Sequence, residues 1–116
     1  MTVVELAGLV DGAALGPADA RSREVGGGYA SDLLSDVMAN AQDGDAWVTM
    51  QRHVNTVAVA QLKNLAAVVI VNGRQPEPEM AARAAEHHVA IVTTPLPAFE
   101  VAGRLYAAGV RGRRAI

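Results

Sequence analysis

The side chains best equipped for chemistry lie in short polar stretches, each following an apolar, β-prone run. Gln51-Arg52-His53 and Asn55 follow Trp47–Met50, and Asn72-Gly73-Arg74 follow Ala66–Val71. Thr93 and Thr94 close the run Val89–Thr93, while Ser31 and Asp32 follow Glu24–Ala30. Guanidinium, imidazole, amide and hydroxyl groups together suit an anion such as a phosphorylated metabolite. In an open parallel sheet, the loops beyond the carboxyl ends of the strands share one rim, where helix N-termini present free N–H groups. Gln51, Arg52, His53, Asn55, Asn72, Gly73, Arg74, Thr93 and Thr94 are therefore the candidate ligand-binding residues. The competing reading is plain: loops are polar in any α/β domain, and these same residues cap helices.

Other chemistries find less support. Asp32 and Asp36 stand one helical turn apart and could hold a divalent cation or act as an acid–base pair. A cap plus a solvated carboxylate explains them more simply. His53 beside Arg52 could support acid–base work, yet no serine or cysteine nucleophile with a base can be assigned from spacing. His87 and His88 are adjacent, so on a helix they point apart and cannot share a metal. Neither GxxxxGK[ST] nor GxGxxG occurs. Gly26, Gly27 and Gly28 instead interrupt a strand, which marks a bulge or a close approach by another backbone or a ligand. With no cysteine there is no disulfide or thiolate metal site. No catalytic residue, metal site or particular cofactor is indicated, and the expectation is a domain without enzymatic activity.

The elements that must position these residues centre on one βαβ crossover, Trp47–Arg74. Trp47–Met50 follows the turn dipeptide Asp43-Gly44. Ala66–Val71 is an unbroken apolar run of the kind a parallel sheet covers on both faces. Between them, Asn55–Asn64 reads as a helix capped by Asn55 or Thr56, with Val54, Val57, Ala58, Gln61, Leu62 and Leu65 at helical spacing. Its residues Val57, Ala58, Val59, Ala60 and Leu62 leave it apolar almost all round, which predicts cover on a second side, by another subunit.

Around that unit, Thr2–Val10 predicts a helix and Ala13–Leu15 a weak strand. Gly16–Arg23 reads as a polar loop whose arginines meet solvent. Ser31–Ala41 is a clear amphipathic helix, capped by Ser31 or Asp32 and facing inward through Leu34, Val37, Met38 and Ala41. Pro78 and the acidic residues of Pro76–Glu79 suit a helix start, with Met80, Ala81, Ala84 and Ala85 on one face. Thr94–Pro97 stops the strand Val89–Thr93. Ala98–Ala108 is the last helix, with Phe99 and Tyr106 broadening its apolar stripe, and Arg111–Ile116 a frayed basic tail.

Composition sets the bounds. One domain of 116 residues, with residues 1–110 forming it, buries about two-thirds of its unfolded surface. The chain is 51% hydrophobic but only 3% aromatic, which favours close helix–sheet packing over an aromatic-lined pocket. Net charge is −2 and Lys63 is the sole lysine, so no broad basic surface points to nucleic acid. No signal-like or membrane-length apolar run occurs, and the expected location is the cytoplasm.

The runs GGYASDLLSDVMANAQDGDAWVTMQRHVNTVAVAQLKNLAAVVIVNGR and VTTPLPAFEVAGRLYAAG, spanning Val25 to Gly109, resemble a stand-alone DRTGG-domain protein. The resemblance implies a three-layer α/β fold with a mainly parallel sheet, as in the DRTGG domains of phosphotransacetylases and CBS-domain pyrophosphatases, where the domain helps form dimers. The N-terminal domain of HPr kinase/phosphorylase is also similar. HPr kinase activity is not implied, because its phosphate-binding loop belongs to a separate domain. Stand-alone members tend to be encoded near anti-sigma-type serine kinases and iron-hydrogenase or NADH-dehydrogenase-like subunits. The resemblance thus implies a homodimeric regulatory domain in redox or fermentative metabolism, with an anti-sigma-type kinase or hydrogenase-related partner. The name-giving motif differs here. Gln51-Arg52-His53 replaces Gly-Asp-Arg, and Val71-Asn72-Gly73 replaces Thr-Gly-Gly, so only Gly73 carries over.

Overall fold

Five strands line up in the order β1-β5-β4-β3-β2 in a computed structural model that describes residues 1–113. They are β1 (Ala13–Leu15), β2 (Gly27–Ala30), β3 (Asp45–Thr49), β4 (Ala67–Ile70) and β5 (Ala90–Thr93). β2 to β5 are mutually parallel; β1 joins the far edge antiparallel to β5. Helix α3 (Leu34–Asn40) links β2 to β3, α4 (Val54–Leu62) links β3 to β4, and α5 (Pro78–Glu86) links β4 to β5. The expected crossover is present, with strands in consecutive order.

Side-chain alternation sorts the core into two halves. Ala46, Val48, Val69 and Val92 face α1 (Val3–Leu9), the single turn α2 (Ala18–Arg21) and α6 (Ala98–Ala107). Trp47, Val68, Ile70 and Ile91 face α3, α4 and α5. Strands β3, β4 and β5 are buried throughout, as their unbroken apolar runs require. The three-layer α/β reading therefore holds.

Several local expectations are corrected. Helix α3 begins at Leu34, because Asp32 is drawn to the end of β3 instead of capping. Its carboxylate accepts the Thr49 hydroxyl at 2.9 Å and the Met50 N–H at 2.7 Å. Ser31 Oγ accepts the Leu33 N–H at 3.2 Å. In α4 the N-cap is His53, without a side-chain cap, and not Asn55 or Thr56. That helix buries Thr56, Val57, Val59 and Ala60, whereas Ala58, Gln61 and Leu62 are exposed. α3 and α5 flank it on the same sheet face and cover its buried half, while Leu62 stays 73% exposed. Val59 and Ala60 are covered within the chain, so neither of these two residues faces a second subunit.

Gly16–Arg23 is not a plain loop. It holds α2, and Arg23 donates to the Asn64 carbonyl at 2.7 Å and the Leu65 carbonyl at 3.1 Å, joining α2 to the α4–β4 turn. The glycine strand has no bulge: Gly27 and Gly28 pair in register with Asp45 and Ala46. What approaches the glycines is the chain's own end. The Gly28 N–H donates to the Arg111 carbonyl at 3.0 Å, and Arg113 lies across Gly26 and Gly27 to meet Asp45. Arg111–Arg113, expected to be frayed, thus covers the outer edge of β2; residues 114–116 lie outside the described residues. Phe99 and Tyr106, expected to widen the buried stripe of α6, are 88% and 62% exposed.

Candidate functional site: the carboxyl rim of the sheet

Strand direction brings the ends of β3, β4 and β5 to one rim, together with the start of antiparallel β1. The nine candidate residues fall there into two groups. Beyond β3, Gln51 donates through Nε2 to the Asp32 carbonyl at 2.7 Å, fixing the loop against the end of β2. Arg52 Nε donates to the Gln75 carbonyl at 2.6 Å. His53, at the N-cap of α4, places Nδ1 2.6 Å from Glu77 Oε1, at the N-cap of α5. Arg52 stands 4.0 Å from the other oxygen of Glu77. The His53 contact, reinforced by the charge of Arg52, holds the Glu77 carboxyl below its ordinary value. Asn55 is exposed on the first turn of α4. This half of the rim is therefore charge-balanced within itself.

The second group surrounds a cleft of about 340 Å³ lined by Asp11, Gly12, Gly73, Gln75, Thr93 and Thr94, among others. Asn72 and Gly73 both have positive φ, 62° and 69°, in a turn closed by the Arg74 N–H on the Val71 carbonyl at 3.3 Å. An Asn-Gly pair is what such a turn favours. Their own N–H groups are engaged: Asn72 donates to the Leu96 carbonyl and Gly73 to the Thr94 carbonyl, each at 2.9 Å. Gly12 is required on the opposite wall, since a Cβ there would strike the Thr93 carbonyl.

The two threonines differ in role. Thr94 Oγ1 donates to the buried Val10 carbonyl at 2.6 Å and accepts the Leu96 N–H at 3.1 Å, so it pins the loop. Thr93 ends β5, 8% exposed, on the cleft floor. Asp11, at the cleft mouth, is matched by Arg104 at 3.1 Å. Arg74 sits between two lining residues, exposed, with no ion-pair or hydrogen-bond partner for its guanidinium among the described residues. Gln75 connects the groups, lining the cleft while its carbonyl holds Arg52.

Sequence reasoning missed Glu77, Gln75, Asp11 and Gly12. Consecutive strand order would have shown the first two, because it sets the β4–α5 loop directly beside the β3–α4 loop. Asp11 and Gly12 join the rim only because β1 runs antiparallel, which nothing in its three residues announces. Among the described residues no group of three metal-binding side chains occurs, and no helix is long and apolar enough to cross a membrane.

No family model matches the sequence, and no curated protein matches it either. Among solved structures, a match is the crystal structure of the CBS and DRTGG domains of the regulatory region of Clostridium perfringens pyrophosphatase, complexed with its activator, diadenosine tetraphosphate. That match has a TM-score of 0.76 at 14% identity over 90% of this chain. The chain spans 45% of the length of that structure. At that identity the likeness is one of backbone architecture, and it agrees with the resemblance carried by Val25–Gly109: the chain has a DRTGG-like α/β fold.

Proposed function

We propose that this chain is a non-catalytic regulatory domain that binds a small anionic ligand in the cleft at the carboxyl rim. The observation that carries this reading is Arg74. Asp11 is answered by Arg104, and Arg52 and His53 by Glu77, while the exposed Arg74, between the lining residues Gly73 and Gln75 in sequence, has no such partner among the described residues. An exposed guanidinium on the turn that forms one wall of the cleft suits phosphate or carboxylate oxygens. The fold neighbour belongs to the regulatory region of its own protein, which supports a regulatory role here. Control of redox or fermentative metabolism, in a cytoplasmic setting, is part of the same proposal and rests on the resemblance.

Calorimetric titration with inorganic pyrophosphate and nucleoside triphosphates as probes tests the cleft. Binding by the native chain should weaken about ten- to a hundred-fold in Arg74→Ala, the loss of one charge-assisted contact, with the unfolding midpoint unchanged. Absence of binding to every probe at millimolar concentration, or an Arg74→Ala variant of native affinity, overturns it. Arg52→Ala is the less informative variant, because Arg52 also holds the Gln75 carbonyl.

A second reading, a purely structural dimerisation or scaffolding module without ligand, is favoured by the exposed aromatics of α6. A partner protein of the anti-sigma-type kinase or hydrogenase-related class would be engaged in either case, and co-purification with such a protein tests that part.

A further inference from the structure

Thr93 is the last residue of β5 and is 8% exposed. Alternation along the strand puts its side chain on the same face as Ile91, the face that carries α5 and the loop leading into it. Hydroxyls at comparable positions are spent within the chain. Thr94 Oγ1 serves Val10 and Leu96, and Thr49, at the end of β3, donates to Asp32 at 2.9 Å and accepts the Gln51 N–H at 3.1 Å. The Thr93 hydroxyl has no hydrogen-bond partner among the described residues, yet it is not sealed in. Among those residues only Thr56 has a side-chain polar atom both shut off and unpartnered. The Thr93 hydroxyl therefore opens onto the cleft whose floor Thr93 forms. A polar group so deeply placed without an internal partner calls for one from outside.

The charge around that floor sets what the outside partner is. Of the residues lining the cleft, Asp11 alone is ionisable, and it is negative. Its Oδ2 is held by Arg104 at 3.1 Å, while its Oδ1 takes no bond among the described residues. No lining residue brings a cation to the floor, so an anionic group driven to that depth would lose its hydration without a counter-charge. A ligand hydroxyl is the opposite case: it donates to a carboxylate and exchanges hydrogen bonds with another hydroxyl. Arg74, exposed on the turn that forms one wall, leaves the place for negative charge outside. At about 340 Å³ the cleft falls at the small end of small-molecule sites, roughly 300–1,000 Å³, which suits a metabolite better than a bare ion. We propose that its ligand is a phosphorylated polyol, the hydroxyl end lodged on Thr93 and Asp11 and the phosphate left at Arg74. Thr93 then sets specificity, because a site built to hydrogen-bond a ligand hydroxyl rejects the analogue that lacks one. The inference rests on the anion-binding reading above and narrows its ligand class.

Calorimetric titration with three phosphates tests it: inorganic phosphate, glucose phosphate, and butyl phosphate, which has no hydroxyls on its carbon chain. The native chain should bind glucose phosphate about tenfold tighter than either of the others, the gain of one or two hydrogen bonds. Thr93→Val keeps the shape of the side chain and the β-branch that suits a strand, so the unfolding midpoint should stay native. It should erase the advantage of glucose phosphate and leave inorganic phosphate binding unchanged. Thr93→Ser, which keeps the hydroxyl, should retain the advantage, and Arg74→Ala should weaken all three ligands alike. Equal binding of the three by the native chain, or an advantage that survives Thr93→Val, overturns the polyol assignment while the anion site stands. Absence of binding by all three, and by pyrophosphate and nucleoside triphosphates, overturns both readings. The comparison with butyl phosphate needs no variant, so it decides the question even where Thr93→Val disturbs the fold.

Discussion

Asp45 is fully buried at the start of β3, and its two carboxylate oxygens serve different parts of the chain. Oδ2 accepts the Gln42 N–H at 2.8 Å, and Oδ1 takes the Arg113 guanidinium at 2.5 Å and 3.2 Å. Gly27 is the floor beneath this contact. A Cβ there would stand 2.7 Å from Asp45 Oδ1 and 2.9 Å from the Arg111 carbonyl. The glycine triplet and the terminal arginines were each legible in the sequence. Their mutual explanation was not, because it needs the β2 edge and the chain end to meet across most of the sequence. Gly27→Ala should therefore lose about 1–3 kcal/mol by overpacking. Arg113→Ala, which strands a buried carboxylate, should lose about 1–2 kcal/mol, discounted from a fully buried pair because Arg113 is 39% exposed. Denaturant unfolding of both and of the double variant checks this: with Arg113 gone, the alanine at 27 loses part of its obstruction, so the double should cost less than the two singles added.

At the scale of the element, α4 shows where periodicity misleads. Val54, Ala58, Gln61 and Leu62 fit a helical stripe in the sequence, but the helix lies in a trough between α3 and α5. It therefore buries a broad face made of Thr56, Val57, Val59 and Ala60, opposite the exposed Ala58, Gln61 and Leu62. Thr56 is the informative member. Its hydroxyl is buried without a hydrogen-bond partner among the described residues, a cost the fold carries with no visible return. The isosteric Thr56→Val should keep the packing, remove the orphan donor and raise stability by about 1 kcal/mol. Urea unfolding with an unchanged slope and a higher midpoint is the expected result; a lower midpoint would mean that the hydroxyl is satisfied in solution.

Across the whole molecule, neighbouring elements are tied by carboxylates that the sequence placed correctly but paired with nothing. Glu77 joins the N-termini of α5 and α4 through His53, Asp19 joins α2 to the end of α5 through His88, and Asp36 joins α3 to β2 through the Tyr29 hydroxyl at 2.8 Å. The strand runs, the crossover and the rim were readable because burial on both faces writes itself into continuous apolar stretches. These pairings were not, because each depends on which loops lie side by side. Their consequence is a shared acid response. Hydrogen bonding from His53, His88 and Tyr29 holds the Glu77, Asp19 and Asp36 carboxyls below their ordinary values of 4.5, 3.8 and 3.8. As pH falls, the unfolded chain takes up these protons first. The contribution of all three is thus complete above the ordinary values and drains away as pH drops through the lowered ones. The thermal midpoint should hold level from pH 7 to about pH 5 on account of these groups and decline below about pH 4. Glu77→Gln, which cannot ionise, should start lower at neutral pH and descend less steeply. An acid limb identical to that of the native chain would show that the His53–Glu77 tie between α4 and α5 contributes nothing to folding.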